Sequence, residues 1–141
     1  MTTKKSLKLT TRGRYAIMAM VELGKRSGSE PAPLVEVAKR GNISLSYLEQ
    51  LIAGLRRQGL VKSYRGPGGG YALAKPANEI SVPAILIAAE DSTPAKRIQQ
   101  KGDKKSSDCE YTDTLWDFIG ESLYESLKGI TLQNVLDKKI R

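Results

Sequence analysis

Four side chains in the run ISLSYLEQL have the chemistry to read nucleic-acid bases: Ser46, Tyr47, Glu49 and Gln50. Glutamine can pair with adenine, serine can bond several bases, and a carboxylate can accept from the amino group of cytosine. A carboxylate is also repelled by phosphate, so Glu49 is expected to penalise sites that lack its partner. Two alternatives stay open. Ser46-x-x-Glu49 has the spacing of a capping box, which stabilises a helix start and reads nothing. Tyr47 either touches phosphate or simply packs.

A second group surrounds a glycine-rich turn. Arg65 stands directly before Gly66, Pro67, Gly68 and Gly69. A long planar donor at such a place can enter a minor groove. The glycines allow positive φ and close backbone approach, and Pro67 stiffens the turn. Arg56, Arg57 and Lys62 flank the far end of the Ser46 segment and suit either phosphate contact or a solvated basic face. Glycine-rich loops also cradle phosphates in nucleotide-binding enzymes. RGPGGGY lacks the GK[ST] ending, however, and joins two expected strands rather than a strand and a helix. The chain has no histidine, which excludes Ser–His and Cys–His catalysis and histidine-ligated metal sites. No catalytic constellation is found.

The elements that must position these residues follow from periodicity. Thr10 or Thr11 can cap a first, mostly buried helix over residues 11–23, with Gly24 as its stop. Leu34, Val37 and Ala38 mark a short helix, and Gly41-Asn42 a turn. Ser44 or Ser46 opens the next helix, whose inner stripe is Leu48, Leu51, Ile52 and Leu55. Short helix, tight turn and longer helix make a helix-turn-helix pattern. Residues 60–64 and 71–74 read as strands around the glycine turn, which gives a wing. Ser81 caps a further apolar helix to about residue 89. That apolar stretch contains Pro83 and is too short to span a bilayer, so no membrane partner is expected.

Charge follows this pattern. Residues 1–80 carry 14 Lys+Arg against 5 Asp+Glu, whereas residues 81–141 carry 9 against 10. All excess positive charge therefore accompanies the helix and wing, as counterion release to a double-stranded DNA partner would favour. One cysteine, Cys109, rules out an intrachain disulfide framework and suits a reducing, cytoplasmic setting.

Three parts are expected: a DNA-binding domain over residues 1–91, a polar loop over 92–110, and residues 111–141. The last part begins with a helix carrying Leu115, Trp116, Ile119, Leu123 and Leu127 on one face, followed by a short helix capped by Thr131. Such a stripe beyond a complete small domain needs a partner surface, either its own domain by folding back or a second copy in a homodimer, and the homodimer is favoured because DNA readers of this size usually bind two half-sites. The expected fold class is mainly α with a small β-wing: a winged helix-turn-helix domain plus a long C-terminal dimerisation helix.

The segments LTTRGRYAIMAM, ISLSYLEQL and YRGPGGGY resemble the bacterial iron–sulfur cluster regulator family, IscR and its NsrR-type relatives. The similarity resumes at Leu115-Trp116 and at GITLQNVL. The resemblance implies a winged-helix homodimer with crossing C-terminal helices, and matches Ser46, Glu49, Gln50 and Arg65 to DNA-contacting positions. It also implies an iron–sulfur cluster as cofactor, held by three cysteines before the long helix and often a histidine near the Leu-Trp pair. Counted back from Trp116, those cysteine positions hold Ile98, Lys104 and Glu110, and the histidine position holds Asp113. Cys109 alone remains, one place out of register, as a metal candidate with Asp108, Glu110, Asp113 or partner-chain residues. A cluster ordinarily takes four thiolate or imidazole ligands, so the usual set is absent.

The function implied is that of a homodimeric, sequence-specific DNA-binding transcriptional regulator. The alternative is an interaction module whose DNA binding is governed by a regulatory protein partner or by oxidation of Cys109 as a redox thiol.

Overall fold

The computed structural model describes residues 6–26, 30–90 and 109–140, with backbone alone at Cys109 and Glu110. Helix α1 (Thr11–Gly24) begins where the Thr10 hydroxyl accepts from the Gly13 N–H at 3.0 Å. Its inner face, Ala16, Ala19, Met20 and Leu23, is buried in the main core. The helix ends on ordinary helical geometry at Lys25 rather than on a left-handed glycine. Gly24 instead serves close packing: a Cβ there would sit 2.9 Å from Leu136 Cδ1.

Helix α2 (Leu34–Gly41) stops because Asn42 takes the left-handed conformation (φ 54°) that asparagine tolerates. Helix α3 (Leu45–Arg57) follows, with Leu48, Leu51, Ile52 and Leu55 buried as its expected stripe. The wing pairs β1 (Val61–Tyr64) antiparallel with β2 (Gly70–Leu73), in the register Val61 to Leu73 and Tyr64 to Gly70. β1 starts one residue later than expected, and β2 keeps its expected length but begins and ends one residue earlier. The wing does not hang free. Ala32 and Tyr71 exchange backbone hydrogen bonds of 2.8 and 2.9 Å, so the α1–α2 connection pairs with β2 beside the glycine turn.

A single 3-10 turn (Ala77–Glu79), which no periodicity announces, leads into α4 (Val82–Ala89). Ser81 caps α4, its hydroxyl accepting from the Ala84 N–H, and Pro83 falls in the first turn, where no N–H is needed. Helix α5 (Cys109–Leu127) begins two residues before the expected Tyr111. The 92–110 loop otherwise lies outside the described residues, as do Ile98, Lys104 and Asp108.

The chain then returns. Leu132 N–H donates to the Ile80 carbonyl at 2.7 Å and Val82 N–H to the Ile130 carbonyl at 2.9 Å. Helix α6 (Leu132–Leu136), capped by a Thr131–Asn134 box, thereby enters the core of the first ninety residues, where Leu132 is fully buried. The described chain is mostly helical with one small sheet. Among these residues no helix is long and apolar enough to cross a membrane.

Candidate nucleic-acid interface

The cap of α3 decides what its first turn can do. Ser44 is the N-cap: its hydroxyl accepts from the Tyr47 N–H at 3.1 Å. Ser46 is thus the second helical residue, and the Ser46–Glu49 capping box does not form. The physical reason is register. Ser44 is in extended geometry and the helix opens at Leu45, so Ser46 lies inside the first turn, and the Glu49 N–H that a Ser46 cap would take belongs to the helical ladder. Ser46, Glu49 and Gln50 are exposed and make no hydrogen bond or ion pair among the described residues. Side chains with strong donors and acceptors, held on a rigid helix and left unsatisfied, are suited to base edges.

Tyr47 is half-buried instead. Its ring meets that of Tyr15 on α1 edge-on, with centroids 5.8 Å apart and planes at 89°. This contact is invisible in either segment alone. The signal that could have found it is the outward stripe of α1, in which Tyr15 shares a face with Thr11 and Met18.

At the far end of α3, Arg56 is exposed, and Arg57 has a partner within the chain. Lys62 on β1 lies 5.6 Å from the centre of the Tyr64 ring, a cation–π contact that holds it along the wing. Arg65, Gly66, Pro67 and Gly68 at the tip are all exposed. Gly66 (φ 91°) and Gly68 (φ 75°) occupy the positive-φ region that the turn requires. Gly69 is half-buried, and a side chain there would collide with the Tyr64 carbonyl. Arg65 has no partner among the described residues, so its guanidinium is available to a ligand.

The expected apolar stripe of α5 divides in two. Leu123 and Leu127 pack against Leu7, Val82 and Leu86. Leu115, Trp116 and Ile119 are exposed, at 50%, 58% and 45%. Phe118 (66%) and Tyr111 (91%) extend the uncovered face and were missed by the stripe read from sequence. The split has a cause: Gly120 lets the N-terminal segment approach, and Leu7 N–H donates to the Gly120 carbonyl at 3.0 Å. N-terminal to that crossing the apolar side chains of the helix are exposed.

For a cluster the donor set does not fit. The chain offers one thiol and no imidazole. The residue at the histidine position, Asp113, is a hard oxygen donor exposed on α5. Among the described residues no group of three or more His, Cys, Asp or Glu is placed to hold a metal ion. The side chain of Cys109 lies outside the described part, so its metal and redox roles rest on sequence alone.

Comparison with known proteins places the fold in a family. Residues 9–138 match the profile of the Rrf2 family, described as iron-dependent transcriptional regulators. The chain is 43% identical over 133 residues to the HTH-type transcriptional regulator IscR of Pectobacterium carotovorum subsp. carotovorum, covering 94% of this chain and 81% of that protein. Against the Serratia proteamaculans protein of the same name the identity is 44% at the same coverage. Among solved structures, CymR, the global cysteine regulator of B. subtilis, superposes with a TM-score of 0.69 at 34% identity, covering 94% of this chain and 98% of that one. T. potens IscR superposes at 0.66 and 36% identity, covering 94% and 88%.

Proposed function

The chain belongs to the Rrf2 family of transcriptional regulators, and from that membership we propose that it binds operator DNA as a homodimer and reads sequence with the start of α3. Its relatives are regulators and not enzymes. The observation that carries the reading is the cap. Because Ser44 closes the helix end, Ser46, Glu49 and Gln50 stand exposed, with side chains that have no partner among the described residues, on a helix whose opposite face is buried. Arg65 and the glycine turn reach the minor groove or the flanking backbone, with Gly66 to Gly69 allowing close approach. Arg56 adds a phosphate contact at the other end of the helix.

The exposed half of α5, around Leu115, Trp116 and Ile119, supports a homodimer: a large aromatic and its aliphatic neighbours uncovered on a rigid helix lower their free energy by pairing with a second copy. Two reading heads then address two half-sites about one helical turn apart. The iron dependence named for the family meets a chain without the cluster's ligand set, so the DNA-binding account uses no cluster.

The direct test is a fluorescence-anisotropy titration of a selected duplex at fixed salt. Arg65→Ala is expected to weaken binding by ~1–3 kcal/mol, the scale of one specific contact. Equal affinity of parent and variant would remove the wing tip from the interface.

A further inference from the structure

The described arginines divide by what holds them. Arg12 donates to the Ala89 carbonyl at 2.9 Å, Arg26 pairs with Glu36 at 2.5 Å, and Arg40 lies 3.8 Å from Glu22. Arg57 also has a partner. Arg14, Arg56 and Arg65 are exposed and have none among the described residues. Arg56 and Arg65 flank the C-terminal end of α3. Arg14 sits on α1, outside the interface formed by α3 and the wing.

Three contacts trace the path of α1 past the helix-turn-helix. Near its C-terminal end, Glu22 meets Arg40 on α2. One turn earlier, Met18 packs on Gly41, where a Cβ would lie 2.5 Å from Met18 Cε. One turn earlier again, Tyr15 meets Tyr47 on the first turn of α3. Glu22, Met18, Tyr15, Arg14 and Thr11 recur at the spacing of one helical face. The outward stripe therefore runs along α2 and crosses onto the start of α3. Its N-terminal end, Arg14 and Thr11, is exposed beside that first turn. When α3 enters a groove, side chains on an element packed beside its first turn face the sugar–phosphate strand that borders the groove. A guanidinium can hold a phosphate there in two parallel hydrogen bonds.

We propose that Arg14 is a second phosphate-binding arm, which grips the DNA backbone at the N-terminal end of α3 while Arg65 acts from the wing that springs from its C-terminal end. Tyr15 is its positioning partner: it wedges α1 against Tyr47, so that arm and reading turn move as one body. The proposal rests on α3 being the base-reading helix. It predicts a contact that is blind to sequence, because phosphates are the same at every site.

The experiment uses the full chain and two duplexes, one recovered from a randomised pool by the parent protein and one with that site scrambled. Affinity for each is measured across a salt series. Arg14→Ala is expected to lower affinity about 5- to 10-fold for both duplexes at low salt. It should also reduce the slope of log affinity against log salt by about one, the share of a single neutralised phosphate. Arg14→Lys is expected to keep most of the slope, since the charge remains. Unchanged affinity and slope in Arg14→Ala would overturn the arm while leaving the role of α3 intact. A loss confined to the selected duplex would also overturn it, by making Arg14 a base reader. A parent protein that retains no duplex from the pool would overturn the α3 reading and the arm together. Circular dichroism of each variant checks that this exposed substitution leaves the fold in place.

Discussion

Tyr15 of α1 and Tyr47 of α3 meet edge-to-face, 5.8 Å between ring centres, and so join the first helix to the turn that carries Ser46, Glu49 and Gln50. Edge-on geometry sets the positive rim of one ring against the negative face of the other, worth about 0.5–1.5 kcal/mol beyond the area buried. The contact ties the first turn of α3 to α1. Tyr15→Ala is expected to weaken binding of a selected duplex by about 1 kcal/mol, the scale of that ring pair, and Tyr15→Phe to bind like the parent. An anisotropy titration showing Tyr15→Ala unchanged would mean that other contacts hold the turn.

Two serines two residues apart should behave oppositely. Ser44 caps α3, so Ser44→Ala should cost ~1 kcal/mol of stability in a urea melt. Ser46 is exposed and makes no internal bond, so Ser46→Ala should change stability by less than about 0.5 kcal/mol while lowering DNA affinity. A larger stability loss at Ser46 than at Ser44 would reverse the assignment of the cap.

The wing separates backbone conformation from packing. Gly68 has φ 75° with nothing near its missing Cβ, so Gly68→Ala should cost about 1–2 kcal/mol from conformation alone. Gly70 has φ 149°, and a Cβ there would collide with the carbonyl of Ala32. Gly70→Ala should therefore cost more, because it also breaks the Ala32–Tyr71 rung. Equal losses in urea melts would show that this rung does not anchor the wing.

The two halves of α5 predict different defects. Ile119 lies on the uncovered half and Leu123 on the half packed against Leu7 and Leu86. Ile119→Asp is expected to give a folded monomer in sedimentation velocity, with its melting temperature at high dilution near that of the parent. Leu123→Asp should instead destabilise the fold, by about 2 kcal/mol or more, through burial of a charge. A dimer that survives Ile119→Asp would place the association elsewhere.

Much of this was legible in the chain. The order α1, α2, α3 and wing could be read because the apolar period of 3.6 in Leu48, Leu51, Ile52 and Leu55, the asparagine turn and the glycine run each act locally. Local signals left Ser44 and Ser46 as alternative caps, since spacing alone cannot say at which residue the helix opens. They misled on α5, where one stripe serves two surfaces. Leu123 and Leu127 are covered by Leu7 and Leu86, which lie far off in sequence, and no periodicity records that. The burial of Leu132 in the main core and the Ala32–Tyr71 rung are likewise long-range. Tyr15 and Arg14 escaped notice for the same reason: their neighbour on α3 is set by packing, not by spacing.

Base reading by the first turn of α3 is tested most directly by binding-site selection from a randomised duplex pool. The parent chain is expected to enrich an inverted repeat with half-sites about one helical turn apart. Glu49→Ala is expected to enrich a consensus relaxed at one position per half-site, with a smaller effect on overall affinity. No enrichment by the parent, or one consensus shared by parent and Glu49→Ala, Ser46→Ala and Gln50→Ala variants, would contradict the account.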